Sequence, residues 1–101
     1  MYKRILLKLS GEALAGASGN GIDEETVEKV VDQIVELNHR GVEIAIVVGG
    51  GNFWRGRQGK NMDKSTADYM GMLATTLNAL ALCDAIESKG VSARVQTAIN
   101  I

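Results

Sequence analysis

The sequence predicts an α/β fold in which helices form the outer layers of a three-layer α/β/α unit around a parallel βαβαβ sheet. Two apolar runs, residues 4–9 and 42–48, end abruptly in glycine-containing loops, as buried parallel strands commonly do. Residues 39–43 and 88–92 each combine a helix stop with a strand start. Strands that alternate with helices favour a parallel sheet with right-handed crossovers.

The bulk composition is that of one small globular domain. The chain has 101 residues, of which 46% are hydrophobic and 23% charged, and its net charge is −1. This charge gives no sign of a nucleic-acid surface or of an anionic membrane. One cysteine and one histidine exclude an intrachain disulfide and a Cys/His metal site, and they favour a cytoplasmic setting. No continuous apolar run approaches the ~20 residues of a membrane helix.

The first predicted strand, residues 4–9, is continuously apolar except for Lys8, and we expect it to be covered on both faces. A lysine inside a buried strand is costly unless its ammonium meets an anion, although it can also extend to solvent at the strand end. Ser10 and Gly11 follow at once, so the strand runs into a small-residue loop. This position favours an anion-binding role for Lys8.

Residues 16–21 form a loop with three glycines that suits a phosphate lid, an effector loop or a long turn, and the residues do not choose among these. Asp23 is the predicted N-cap of the following helix, and Gly41 its terminator. The helix carries one apolar stripe at helical spacing, made of Val27, Val30, Val31, Ile34 and Val35.

The second strand, residues 42–48, leads into the triglycine Gly49–Gly51, around which the chain is organised. Glycines there allow positive φ and let backbone N–H groups approach an anion. Ligands of open α/β sheets bind beyond the carboxyl ends of strands. A single glycine is enough for a tight turn, so three in succession favour ligand binding over a turn alone.

A basic loop with a tryptophan follows the triglycine. Arg55, Arg57 and Lys60 suit a polyanionic ligand, with a solvated loop as the alternative. Trp54 can stack on a base or anchor the loop against the core, and an isolated tryptophan favours the anchor.

The second helix is predicted from about residue 66 to residue 89, with Ser65 opening a capping box that Asp68 closes. It is apolar nearly all round, which indicates burial on more than one side and a second subunit on one of them. Residues 91–98 are the predicted third strand.

Several common nucleotide-site patterns are missing. The sequence has no G-x-x-x-x-G-K-[ST], no G-x-S-x-G, and no G-x-G-x-x-G, since Trp54 stands at its last position. Two glycine loops at strand ends, a lysine, a basic loop and Asp68 remain. They suit phosphate binding through positioning and electrostatics.

Residues 8–14, 48–56 and 68–75 together resemble the bacterial uridylate (UMP) kinases of the amino-acid kinase superfamily. The triglycine is shared across the superfamily, whereas residues 68–75 are more specific. The resemblance covers the chain in order and implies that residues 1–101 are the N-terminal part of a single amino-acid kinase domain. It implies a cytoplasmic, allosteric homohexamer that transfers the γ-phosphoryl of ATP to UMP, giving UDP in pyrimidine nucleotide biosynthesis.

The resemblance also implies roles for individual residues. Lys8 would be catalytic, Mg²⁺ would be held mainly by nucleotide phosphates, and GTP or UTP would be effectors. Cys83 stands where the family has an arginine, a departure that bears on GTP control. ATP would be bound by Lys8, Leu9, Ser10, Gly11, Gly51 and Arg55, UMP by Gly50 and Asp68, and GTP by Gly16, Ala17, Ser18, Gly19, Asn20 and Gly21.

Two alternatives stay open. One is another amino-acid kinase acting on a carboxylate substrate, against which Asp68 argues because a carboxylate suits ribose hydroxyls better than an anionic acceptor. The other is a non-catalytic module for nucleotide binding or assembly. The uracil and adenine pockets of the family lie beyond Ile101, so the isolated chain is expected to be inactive.

Overall fold

The computed structural model describes residues 3–54 and 61–96. Strand β1 spans Lys3–Leu9, helix α1 Glu24–His39, strand β2 Val42–Val48 and helix α2 Lys64–Ser88. Two short 3₁₀ turns lie between β1 and α1. The predicted α/β order is thus confirmed for its first four elements, and the bounds of β2 agree with those predicted.

The two strands are parallel, with a register that runs from Lys3 opposite Val42 to Leu9 opposite Val48. Both strands therefore end at the same level. Lys8 lies opposite Val47, and Gly49 follows directly after the last pair. Lys8 and Gly49 consequently occupy the same edge of the sheet, as predicted.

The core lies between the sheet and the two helices. Because paired residues of parallel strands point to the same side, Leu7 and Ile46 face the helices together, as do Leu9 and Val48. The apolar stripe of α1 packs here as predicted. The hydrophobic core is a cluster of eight buried residues: Leu14, Val27, Val31, Ile34, Val35, Val48, Leu82 and Ile86.

The opposite face of the sheet is not covered by any of the described residues. Leu6 and Val47 on this face are 61% and 54% exposed, and Arg4 pairs with Glu43 at 3.1 Å. The prediction of burial on both faces is therefore wrong for residues 3–54 and 61–96. The reason is that α1 and α2 contact each other and share one side of the sheet.

The predicted third strand is also wrong where it is described. Residues 91–96 form no strand, and positions 97 and 98 lie outside the described residues. A cavity of about 600 Å³ is lined by Ile44 and Ile46 of β2 and by Val91 and Ala93. Val91 and Ala93 thus line the same space as β2 without pairing with it as a strand.

Both helices begin at an aspartate. Asp23 caps α1 as predicted, and hydrogen bonds from the hydroxyl and the backbone N–H of Thr26 lower the pKa of Asp23. In α2 the cap is Asp63, whose carboxylate accepts from the backbone N–H of Thr66 at 3.1 Å. The predicted cap at Ser65 is therefore wrong, because Asp63 satisfies the first turn two residues earlier.

The end of α2 is tied to α1 by charge. Lys89 places its Nζ 3.2 Å from carboxylate oxygens of both Glu28 and Asp32. Hydrogen bonds to these two groups raise the pKa of Lys89. These two partly exposed ion pairs join the end of α2 to α1.

Helix α2 is long and apolar enough to cross a membrane, with a mean hydropathy of 1.3 over its most apolar 18-residue window. Polar residues interrupt the helix, so it contains no continuous apolar run of membrane-spanning length. Its Leu82 and Ile86 pack in the core beside α1, and its Asn78 is fully buried in hydrogen bonds. These contacts place one side of α2 in the core, while only 28% of that window is buried.

Candidate functional site

Two loops meet at the carboxyl edge of the sheet. The N–H of Gly49 donates to the carbonyl of Leu9 at 3.1 Å, which joins the end of β1 to the start of the triglycine loop. A Cβ on Gly11 would overlap Oδ1 of Asn52 and would lie 2.9 Å from the backbone nitrogen of Gly51. Only glycine therefore fits at position 11, and it brings the loop after β1 into contact with the loop after β2.

The glycines of the triglycine loop are needed for close approach within the protein. None of them has positive φ, so the expectation of positive φ is wrong there. A Cβ on Gly50 would lie 2.7 Å from Cβ of Ala74 and 2.9 Å from the backbone nitrogen of Thr75. A Cβ on Gly51 would lie 2.7 Å from Oε1 of Glu12. The loop is thus pressed against α2 on one side and against Glu12 on the other.

The backbone N–H groups of the two loops are candidates for anion binding. Among the backbone–backbone hydrogen bonds of residues 3–54 and 61–96, none has the N–H of Gly11, Gly50 or Gly51 as its donor. Gly11 itself is buried where the two loops touch. Successive backbone N–H groups in glycine-rich loops can form concavities that bind anions without a charged side chain.

A buried pair of asparagines supports the triglycine loop. Asn52 is 3% exposed and Asn78 is fully buried. Nδ2 of Asn52 donates to Oδ1 of Asn78 at 3.0 Å, and Nδ2 of Asn78 donates back to Oδ1 of Asn52 at 2.7 Å. Nδ2 of Asn78 also donates to the carbonyl of Gly49 at 2.8 Å. The pair joins the loop directly to α2.

The loop at residues 16–21 is a structured turn attached to the same point. Gly16, Gly19 and Gly21 have positive φ, the conformation that favours glycine. The N–H of Gly21 donates to the carbonyl of Asn52 at 2.8 Å, and Nδ2 of Asn52 donates to the carbonyl of Gly21 at 2.7 Å. This loop therefore reaches the triglycine loop through Asn52.

Asn52 and Asn78 are not among the site residues predicted from the sequence. The available signals were an asparagine directly after the glycines and a polar residue within an otherwise apolar stretch of α2. A buried amide is costly without partners, so such a residue indicates a hydrogen-bonded contact.

Trp54 anchors the chain after the triglycine, as predicted. Its indole Nε1–H donates to the carbonyl of Ala67 at 3.1 Å, and its Cδ1 lies 3.7 Å from where a Cβ on Gly71 would stand. The basic residues predicted to bind phosphates, Arg55, Arg57 and Lys60, lie outside the described residues.

The remaining predicted side chains border this edge. Lys8 and Ser10 are exposed at the end of β1, Lys8 on the sheet face away from the helices. Asp68 is exposed in the second turn of α2, 3.5 Å from Lys64, and it does not cap the helix. It lies six residues before Ala74, or roughly 9 Å along the helix from the Gly50 contact. Its carboxylate is therefore open to a ligand.

The sequence and structure of the chain are similar to those of known proteins. The chain matches the amino acid kinase family over residues 3–101, and it belongs to that family. A solved UMP kinase from Bacillus anthracis is similar to it, at 40% identity and a TM-score of 0.80 over 87% of this chain and 37% of that one. A UMP kinase from Ureaplasma parvum is similar at 38% identity and a TM-score of 0.82, over 90% of this chain and 41% of that one. The chain thus spans about two fifths of the length of these two proteins.

We expect the triglycine positions to differ sharply in their tolerance of a methyl group. Gly50→Ala places Cβ against Cβ of Ala74 and the backbone of Thr75, so it should destabilise the fold by about 1–3 kcal/mol, as overpacking does. Gly49→Ala is the matched control, because its Cβ would meet only the nitrogen of Gly11, at 3.7 Å. Urea denaturation measures both, and equal losses of stability would contradict the packing explanation.

Proposed function

We propose that the chain forms the acceptor side and part of the ATP phosphate site of a UMP kinase. The observation that carries the proposal is the close contact of two glycine loops at one sheet edge, where no backbone–backbone hydrogen bond of the described residues has the N–H of Gly11, Gly50 or Gly51 as its donor. The similarity to two UMP kinases at 38–40% identity supports UMP as the acceptor. UMP would contact Gly50 and Asp68, and the ATP phosphates would contact Gly11, Gly51 and Lys8.

The proposed chemistry requires positioning more than covalent catalysis. A phosphate oxygen of UMP attacks the γ-phosphoryl group of ATP, so no side chain has to act as a nucleophile. The protein holds two polyanions in line and offsets their repulsion with backbone N–H groups and the Lys8 ammonium. Lys8 would act most strongly as charge shifts during transfer. Its exposed position at the sheet edge leaves it free to reach a phosphate.

In this proposal Mg²⁺ would bind together with ATP. Among residues 3–54 and 61–96, no three His, Cys, Asp or Glu side chains are grouped so that they could hold a metal ion. We propose that the ion would be held mainly by the phosphates of ATP. When bound, Mg²⁺ neutralises part of the phosphate charge.

The direct test is a phosphoryl-transfer assay. The chain would be joined to the part of the Bacillus anthracis enzyme that lies beyond the matched region, with the unmodified enzyme as the control. Transfer from ATP to UMP, and not to carboxylate acceptors such as glutamate or carbamate, is expected. Transfer to a carboxylate would favour another activity within the family. Nucleotide binding without any transfer would favour a non-catalytic module.

We extend the proposal to the setting of the enzyme. It would act in the cytoplasm within pyrimidine nucleotide biosynthesis, with GTP and UTP as effectors and residues 16–21 as the effector loop. The 101-residue chain alone would bind nucleotide phosphates without turnover, since misplacing two reactants forfeits ~7–11 kcal/mol of barrier lowering. Turnover of the isolated chain at ~1–100 s⁻¹, which is usual for kinases, would contradict this.

We expect Lys8→Ala in the joined enzyme to lower kcat by about 10²–10³-fold, a loss typical of removing one group that stabilises transition-state charge. UMP affinity should change little, because the charge matters most as the phosphoryl group transfers. Coupled ADP release measures kcat, and Lys29→Ala on the exposed face of α1 is the control. An unchanged kcat would remove Lys8 from the mechanism.

We expect Asp68→Asn to weaken UMP binding by about tenfold, since a hydrogen bond to a charged group is worth ~1.5–3 kcal/mol. The fold should be unaffected, because Asp63 caps the helix and the pair with Lys64 is exposed. Calorimetric titration with UMP gives the affinity, and Asp84→Asn, an exposed aspartate farther along α2, is the control. Equal UMP affinity in wild type and Asp68→Asn would contradict the ribose-binding role.

Helix α2 is the surface proposed to join two copies of the chain. Only 28% of its most apolar 18-residue window is buried, and Leu73, Leu77 and Leu80 are 40%, 51% and 47% exposed. These residues lie along one side of the helix with Tyr69. The family resemblance points to dimers of this kind within a homohexamer.

We therefore expect the chain to self-associate, and Leu77→Glu to shift it to a monomer because a charge would be buried in the contact. Light scattering coupled to gel filtration measures the mass. Leu6→Glu, on the uncovered sheet face, is the control and should leave the mass unchanged. A wild-type monomer at high micromolar concentration would contradict the proposed contact.

A further inference from the structure

Each of the two buried asparagines divides its two amide N–H donors between the other asparagine and a backbone carbonyl. One N–H of each amide goes to the other asparagine. The second N–H of each goes to a backbone carbonyl, Asn78 to Gly49 and Asn52 to Gly21. Both carbonyls belong to glycine-containing loops, so the pair fixes the backbone of two loops at once.

We propose that Asn52 and Asn78 are positioning residues that hold the triglycine loop in its anion-binding shape. We further infer that they couple Gly21, the last residue of the loop at residues 16–21, to the triglycine loop. The inference rests on the proposed function, in which the N–H groups of this loop bind phosphate. Neither asparagine need touch a nucleotide, because each acts through the backbone.

The direction of one peptide bond explains how Asn78 acts. The carbonyl of Gly49 and the N–H of Gly50 belong to the same planar trans peptide, in which they point in opposite directions. Asn78 holds that carbonyl at 2.8 Å inside the protein. The N–H of Gly50 therefore points away from the buried amide. Without this bond the peptide could rotate and present its carbonyl to the ligand, and a carbonyl repels phosphate.

The bonds at Gly21 carry the second half of the inference. Both polar groups of Gly21 are bonded to Asn52, at 2.8 Å through its N–H and at 2.7 Å through its carbonyl. Asn52 cannot move without Gly21, and its amide contacts Asn78 directly. A strain introduced at Gly21 therefore reaches the Gly49–Gly50 peptide through two side chains.

The chain supplies matched pairs of variants. Gly21→Ala and Gly19→Ala both force a Cβ onto positive φ, at +67° and +74°, and neither Cβ would meet an atom within 4 Å. Only Gly21 is bonded to Asn52. Asn78→Asp removes the donors to Gly49, whereas Asn38→Asp removes a similar bond, 3.1 Å from its Nδ2 to the carbonyl of Val42, at the other end of β2.

The experiment measures amide chemical shifts and hydrogen exchange by ¹⁵N NMR on the ligand-free chain. Asn78→Asp and Gly21→Ala should shift the Gly50 amide, while Asn38→Asp and Gly19→Ala should leave it unchanged. If the Gly50 amide signal is unchanged in Asn78→Asp, the positioning role of Asn78 is overturned. If it is unchanged in Gly21→Ala, the coupling of Gly21 to the triglycine loop is overturned. If Asn78→Asp does not fold, Gly21→Ala decides both, because its effect passes through both asparagines.

Titration with UMP and with ATP then connects the shape of the loop to binding. Asn78→Asp and Gly21→Ala should each weaken nucleotide affinity by about tenfold, within the usual range for coupled sites. Wild-type affinity in both variants would overturn the link to phosphate binding. If the wild-type chain binds neither nucleotide, the proposed function fails, whereas the NMR result still decides the positioning inference.

Discussion

The parallel register of β1 and β2 is the constraint on which the rest of the site depends. It ends both strands at one level, so the loop that begins at Ser10 and the loop that begins at Gly49 leave the sheet side by side. Gly11 then fits against the second loop only because it lacks a side chain. A shift of one residue would separate the loops and turn the core residues of one strand to the other face.

The site combines a rigid inner side with an open outer side. On the inside, Gly50 lies against α2 and the amides of Asn52 and Asn78 satisfy each other, so the loop has little room to move. On the outside lie exposed side chains, including Lys8. In the proposed function, this separation would let the backbone shape stay fixed while the charged groups adapt to a ligand, which would lower the cost of ordering upon binding.

Local patterns in the sequence predicted most elements but not their partners. The stripe in α1, its cap at Asp23 and the bounds of β2 all follow from short-range chemistry. The prediction of a third strand was wrong because strand pairing depends on a neighbour, and residues 91–96 line a cavity with β2 instead of pairing with it. The reason for the glycines also escaped prediction, because the contact between Gly50 and Ala74 joins residues 24 positions apart. The buried amide pair is similarly long-range, because Asn52 and Asn78 are 26 positions apart, so no local pattern predicts their contact.

The glycines of this chain are constrained in two ways that have different evolutionary consequences. At position 19 the requirement is a dihedral angle, which asparagine can also adopt without any change elsewhere. At position 51 the obstacle is the end of the Glu12 side chain, which can rotate away or be replaced by a shorter residue. At position 50 one obstacle is the backbone nitrogen of Thr75, which every amino acid possesses. No substitution at position 75 can remove a backbone nitrogen. A change at Gly50 therefore cannot be compensated by a second substitution there, and of the three glycines Gly50 should be the last to vary.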